Sequence, residues 1–232
     1  MNALKLGIIA AMEPEVRSLV ESLENQRTQE VANQLIYEGT IAGKEIVLIQ
    51  SGIGKVNATI ATTLLIERLG VTHVINTGSA GGIGTHLAVG DLVVSTQLAY
   101  HDADARAFDY AYGQVPGMPL YYPADNLLQA KVKQAAESLS WSAQAGEILS
   151  GDSFISSHER RQAIIGHFPN ALAVEMEGAA IAQCCWQFDV PFVVIRAISD
   201  LGDEEASISF DEFIEKVGKK SAELVREVIK QV

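Results

Sequence analysis

Residues 72–82 read THVINTGSAGG, and the reading of this run decides the fold. Its first half is a short apolar segment around Val74 and Ile75, which reads as a buried strand. Its second half crowds glycine and serine, and reads as a glycine-rich loop leaving that strand. A strand buried on both faces belongs to a sheet covered by helices on both sides, and such sheets are mostly parallel.

The segments on either side alternate in the way that reading requires. Before it come a first strand, LKLGIIAA, and a helix over 13–25 with Pro14 in its first turn, where a missing N–H is tolerated. Val16, Leu19, Val20 and Leu23 of that helix fall on one face. Residues 34–52 read as a hairpin turning at Ala42-Gly43, and 54–70 as a helix with Val56, Ile60 and Leu64 on one stripe, stopped by Gly70. After it come the strand GDLVVSTQLAY, an irregular stretch over 102–123, a helix from about 125 to 139 and the strand AGEILSGD. A short helix over 156–168, the strand NALAVE, the helix EGAAIAQCCWQF and the strand PFVVIRAISD follow. The chain closes on an amphipathic helix beginning near residue 209, its stripe marked by Phe210, Phe213, Ile214, Val217, Leu224, Val225, Val228 and Val232. The expectation is an α/β protein: a three-layer α/β/α single domain over residues 1–232, around a central, twisted, mixed but mostly parallel sheet.

Bulk composition agrees and excludes some functions. Of 232 residues 48% are hydrophobic, enough for a sizeable core, and the formal net charge is -12. That charge repels nucleic-acid phosphates and anionic membrane surfaces. No stretch approaches the roughly 20 apolar residues of a membrane-spanning helix. The N-terminal apolar run is too short for a secretory signal, and acids follow it at once. The two cysteines, Cys184 and Cys185, are adjacent on a helix, point in different directions and are expected to be reduced thiols. A cytoplasmic protein without metal is the expectation; His101, Asp102 and Asp104 of HDADAR offer hard ligands, but nothing fixes a coordination geometry.

In open α/β sheets the site lies beyond the carboxyl ends of the strands. Four such junctions carry unusual residues. At AAMEPEV, Glu13 and Glu15 stand in a first helical turn, where the helix dipole alone accounts for both. At NTGSAGGIG, the glycines let the backbone approach something closely, and free N–H groups there can hold an anion or a sugar hydroxyl. It is no P-loop, and SGIGKVNA half-matches a dinucleotide fingerprint without its last glycine, which fits a tight strand-to-helix turn. At VVIRAISDLGD, Ser199-Asp200 ends an apolar strand with no helix close enough to be capped, so the aspartate reads as functional. At AVEMEGAAIA, Glu175 and Glu177 interrupt an apolar run, and buried carboxylates require partners. In extended chain the two would share a face, and Arg196 is a candidate partner for Glu175.

Taken together and in order, GIIAAMEPE, SGIGKVNA, INTGSAGG, YHDAD, SGDSFI, AVEMEGAAIA and VVIRAISDLGD resemble the 5′-methylthioadenosine/S-adenosylhomocysteine nucleosidases, bacterial members of the nucleoside phosphorylase superfamily. The resemblance runs from residue 6 to the final helix. It implies a nucleoside phosphorylase-like fold and hydrolysis of the N-glycosidic bond of 5′-methylthioadenosine and S-adenosylhomocysteine, with 5′-deoxyadenosine and longer nucleosides left open. The products are adenine and a 5-thioribose sugar, in methionine salvage and the activated methyl cycle, with no cofactor or metal. By resemblance, Glu15 is the water-activating base and Asp200 the acid that protonates adenine, with Ser199 beside it. Met176 and Glu177 form the ribose site, and Ser79 and Gly81 the glycine-rich wall. Phe154 and Ile155 match the purine pocket; Met12, Ile53 and Phe210 match the apolar pocket for the 5′-thio group. Phe108 matches a residue that closes the neighbouring subunit's pocket in a homodimer, and Ala105 stands where a larger aliphatic residue is expected.

The chemistry implied is physically coherent. Adenine leaves poorly as an anion, so an acid must protonate it, and burial of Asp200 at a strand end would hold its proton. One acid on the leaving group and one base on water is the arrangement of an inverting glycosidase. Glu13 and Glu15 in the N-terminal segment would repel phosphate, which favours water as nucleophile over the phosphate of a purine nucleoside phosphorylase.

Overall fold

The computed structural model describes residues 4–232; the first three residues of the N-terminal stretch lie outside the described residues. The buried strand β5 (His73–Gly82) is the hub of the sheet. Along its first half it pairs in parallel with β1 (Lys5–Ala10), Leu6 opposite His73 and Ile9 opposite Asn76. On its other side it runs parallel to β10 (Phe192–Asp200) along nearly its whole length. Its last two residues, Gly81 and Gly82, pair antiparallel with β9 (Ala171–Glu175).

The glycine-rich segment is therefore strand and not loop. Gly78, Ser79 and Gly81 lie opposite Arg196, Ala197 and Asp200. Composition hid this because glycine weakens a strand locally, whereas pairing with β10 holds this one extended. Between Asn76 and Gly81 the edge of β5 facing away from β10 is given up by β1 and not yet taken by β9. That parting of strands opens a crevice at the carboxyl ends of the parallel strands, the place where ligands settle in such sheets.

Outward from β1 the sheet continues through β4 (Lys44–Gln50), β3 (Gln34–Ile41) and β2 (Glu24–Val31). The hairpin β3–β4 turns at Ala42-Gly43 as expected, Ile41 facing Lys44. On the other side β10 meets β6 (Leu92–Tyr100), which meets β8 (Ala143–Ser150), which meets β9, which returns to β5. Five strands thus close on themselves, and a two-residue strand β7 (Tyr122–Pro123) adds to β6.

Helices cover both faces. α1 (Glu13–Val20), α3 (Asn126–Ser138) and α6 (Ala206–Gln231) pack with Leu6, Ile8, Ile75, Val193 and Ile195. α2 (Lys55–Thr63) and α5 (Gly178–Gln187) pack with Ile9, Val47, Val74 and Val194 on the opposite face. α4 (His158–His167) lies over the outer part of β8 and β9 through Ile164 and Phe168. Among the described residues no helix is long and apolar enough to cross a membrane.

Several elements depart from their sequence expectations. α1 stops at Val20, because 24–31 is a strand: a polar edge, ENQRTQEV, that pairs with β3 and buries almost nothing. α2 turns its small residues Ala58, Ala61 and Thr62 inward, with Leu65 of the π-helical turn Leu64–Arg68 that continues it. Val56 looks outward, 71% exposed, while Leu64 of the same stripe packs against the edge of the core. Close packing of α2 on α5 favours small residues at the contact and leaves the larger ones outside. α6 begins at Ala206, three residues earlier than its apolar pattern, and its first turns bring Ser207, Phe210 and Asp211 to the site.

Candidate active site

The crevice leads into a cavity of about 420 Å³. Its wall includes Glu15, Glu177 and Asp200, delivered by α1, the β9–α5 junction and the end of β10. Met12, Ile53, Ser79, Gly81, Phe154, Ile155, Met176, Ser199 and Phe210 line the same space. Phe108 does not: it lies on a short 3-10 turn, 77% exposed and away from the cavity of its own chain. Ala105, just before that turn, is also outside the wall.

Glu15 is 3% exposed and its carboxylate is saturated with donors. Oε2 accepts from the backbone N–H groups of Ala11 and Met12, both at 3.0 Å. Oε1 accepts from the N–H and the hydroxyl of Ser79, both at 3.0 Å. The Ser79 N–H is free to do so because it lies on the stretch of β5 edge that β1 and β9 leave open. The two first-turn acids of α1 thus divide: Glu13 is exposed and pairs with Arg17, as a dipole-favoured acid should, whereas Glu15 turns inward. Glycine at 78 makes room for it, since a Cβ there would stand 2.8 Å from Glu15 Oε1. Glycine at 81 does the same for the other acid, with a Cβ 2.9 Å from Asp200 Oδ1. The anion held by the glycine-rich stretch is the protein's own carboxylate.

Asp200 is buried. Its Oδ2 accepts from the Ser199 hydroxyl at 2.8 Å and its Oδ1 from the Gly202 N–H at 3.0 Å. Burial raises its pKa above the ordinary aspartate value, and those two hydrogen bonds, which favour the charged form, oppose the shift.

Glu175 and Glu177 have separate tasks. Glu175 ends β9 and pairs with Arg196, fully buried in the middle of β10. Its oxygens also accept from Ser150 and from the N–H groups of Glu177 and Gly178 at 3.1 and 2.8 Å, so it shapes the β9–α5 turn. Arg196 donates further to Asn76, whose amide is anchored on the carbonyl of Ile9 at 2.9 Å. Neither Asn76 nor Ser150 stood out in the sequence, although a polar residue inside a buried strand is a usable signal. Ser207 and Asp211 are further wall residues that no motif pointed to.

Glu177 faces the cavity and accepts from the Gly54 N–H at 2.8 Å. Gly52 and Gly54 both have positive φ, 79° and 97°, so this turn aims a backbone donor where another residue would be strained. Burial, then the neighbouring charge of Glu175, push the Glu177 pKa up to about 8 against an ordinary 4.5, with Arg196 opposing. The folded chain therefore keeps a proton that the unfolded chain gives up, and stability falls as pH rises through that window. Glu177→Gln is expected to be more thermostable than the parent, with a gap in melting temperature that widens from about pH 5 to about pH 8. Thermal denaturation across that range checks this; a pH-independent gap would contradict it.

His101 is buried against Gly151, and burial lowers its pKa. Asp104 pairs with Arg106, and Asp102 with Lys55. Among the described residues no group of three metal-binding side chains occurs. Both cysteines are unpaired and buried.

The phosphorylase superfamily model matches residues 5–230. A 5′-methylthioadenosine/S-adenosylhomocysteine nucleosidase of Exiguobacterium sp. is 51% identical over 230 residues, covering 99% of each chain. Among solved structures, the nucleosidase of the same name from Neisseria meningitidis, in complex with methylthio-immucillin-A, superposes with a TM-score of 0.97 at 47% identity, covering 98% of this chain and 99% of that one. The S-adenosylhomocysteine nucleosidase of Streptococcus pyogenes, in complex with 5-methylthiotubericidin, gives 0.97 at 43% identity, covering 100% of this chain and 98% of that one.

Proposed function

The chain belongs to the phosphorylase superfamily, and within it to the 5′-methylthioadenosine/S-adenosylhomocysteine nucleosidases; from that membership and its cavity we propose that it hydrolyses the N-glycosidic bond of both nucleosides, releasing adenine and the 5-thioribose sugar. The observation that carries the proposal is the meeting of three buried carboxylates, Glu15, Glu177 and Asp200, on one cavity wall. Among the described residues the only cationic side chain on that wall, Arg196, is engaged by Glu175 and Asn76. A phosphate dianion would meet carboxylates there, whereas water would meet a base.

In the proposed mechanism the C1′–N bond breaks as Asp200 delivers its proton to a ring nitrogen, so adenine leaves neutral with the bonding electron pair. Positive charge grows on the sugar, and Glu177, bonded to the ribose hydroxyls beside Met176, stabilises it as an anion once the nucleoside is bound. Water attacks C1′ from the opposite face and gives its proton to Glu15. Of the four donors on Glu15 only the Ser79 hydroxyl can rotate away, which frees a lone pair for the water. Phe154 and Ile155 hold the purine. Met12, Ile53 and Phe210 receive the 5′-thio group, Phe210 standing edge-on to Phe154 with ring centroids 5.8 Å apart.

We assign the exposed Phe108 to the cavity of a second copy in a homodimer, where the 50% exposed Ile53 leaves apolar rim to be covered. The enzyme acts as a single domain over residues 1–232, in the cytoplasm, in methionine salvage and the activated methyl cycle, without cofactor. Adenine formation from each nucleoside in phosphate-free buffer tests the reading. The rate is expected to be the same with and without added phosphate; a rate that requires phosphate would make the chain a phosphorylase.

A further inference from the structure

Three loops meet outside the cavity at Lys55. Its backbone N–H donates to Asp152 Oδ1 at 2.8 Å, and its ammonium lies 2.8 Å from Asp102 Oδ2 and 3.7 Å from Asp152 Oδ2. Asp102 Oδ2 also accepts the backbone N–H of Asp152 at 2.9 Å, and the ammonium stands over the Tyr100 ring, 5.3 Å from its centroid. The β4–α2 turn, the segment after β6 and the segment after β8 are thereby tied to one another.

Two of the tied loops carry wall residues or their supports, and Asp102 of the third holds them together. Lys55 follows Ile53, which lines the cavity, and Gly54, whose N–H holds Glu177. Asp152 precedes Ser153, Phe154 and Ile155, all on the wall. Gly54 has a positive φ, and its α-carbon packs so near Asp152 that an added Cβ would stand 3.1 Å from Oδ1. The position of the Gly54 donor therefore depends on the clamp that holds the next residue.

We infer that Lys55 is a positioning residue for the hydrolysis: clamped by Asp102 and Asp152, it sets the Gly54 N–H that orients Glu177 toward the ribose. The inference rests on the function proposed above. Lys55 touches no reacting atom; its effect passes through Gly54 to Glu177. Partly exposed ion pairs contribute little to stability, so the clamp is expected to matter for alignment and not for folding.

A double-mutant cycle tests this. Lys55→Met is expected to lower kcat/KM for 5′-methylthioadenosine about tenfold, in line with the sensitivity of catalysis to small misplacements. Lys55→Arg, which keeps charge and donors, should restore most of that loss. In a Glu177→Gln background, followed by single turnover with enzyme in excess, Lys55→Met should cost less than about twofold, because the group it positions is already disabled. An equal loss in both backgrounds overturns the inference. Should Lys55→Met fail to fold, the same cycle with Asp102→Ala, which removes the acceptor shared by Lys55 and Asp152, carries the same two outcomes. A parent enzyme that releases no adenine would instead refute the function itself.

Discussion

Asp200→Asn is expected to bind 5′-methylthioadenosine and to release adenine at least about a hundredfold more slowly, the lower range for loss of a general acid. An asparagine can keep both hydrogen bonds of the native residue through small adjustments: its oxygen accepts from Gly202, and its amide group can meet the Ser199 oxygen. Folding should therefore survive, and burying a neutral amide avoids the penalty that raises the Asp200 pKa. What the variant lacks is a proton to give. Equilibrium binding measured beside steady-state adenine release separates the two effects. Near-parental turnover would remove Asp200 from the chemistry.

Glu15→Gln is expected to abolish hydrolysis to a similar extent while still binding substrate analogues, but with a second, physical signature. All four protein groups around the Glu15 carboxylate are donors. A glutamine brings one oxygen and one donor group, so one side of the site sets donor against donor. Leaving buried donors unsatisfied costs about 1–3 kcal/mol each, and the variant should melt at a lower temperature than the parent. Calorimetric melting and single-turnover hydrolysis on the same protein report both. Loss of analogue binding together with activity would make Glu15 a structural residue at the β1–α1 junction and nothing more.

Alternation of apolar strands and amphipathic helices carried most of the fold, because buried strands such as VVI in β10 and the long stripe of α6 are periodic and local. The polar edge strand ENQRTQEV was invisible, since its extended form comes from pairing with β3 and not from its own side chains. The closure of β5, β10, β6, β8 and β9 into a ring was equally hidden, being a set of long-range pairings. The stripe of Val56, Ile60 and Leu64 was legible as one face but not where it points: Val56 is exposed, whereas Leu64 packs against the core. Small residues, Ala58, Ala61 and Thr62, take the interior of α2.

For the site, motifs located the wall but not the reason for its shape. Glu15 was explicable in the sequence as a dipole-favoured acid, and only the resemblance singled it out. The fold sets it apart from Glu13: one oxygen pair is saturated by buried donors, the other bonded to Arg17 at the surface. Arg196 was legible as a candidate partner for Glu175, because a buried acid and a buried base have few other choices, although one ends β9 and the other sits mid-way along β10. The Gly54 donor to Glu177 was not, since backbone groups carry no mark in a sequence.

The central claim is that water, activated by Glu15, is the nucleophile at C1′. Hydrolysis of 5′-methylthioadenosine in phosphate-free buffer made with ¹⁸O-labelled water, read by mass spectrometry of the released sugar during early turnover, tests it most directly. The account predicts adenine release together with one labelled oxygen on the anomeric carbon. Absence of adenine release until phosphate is added, with a sugar phosphate as the product, would contradict it.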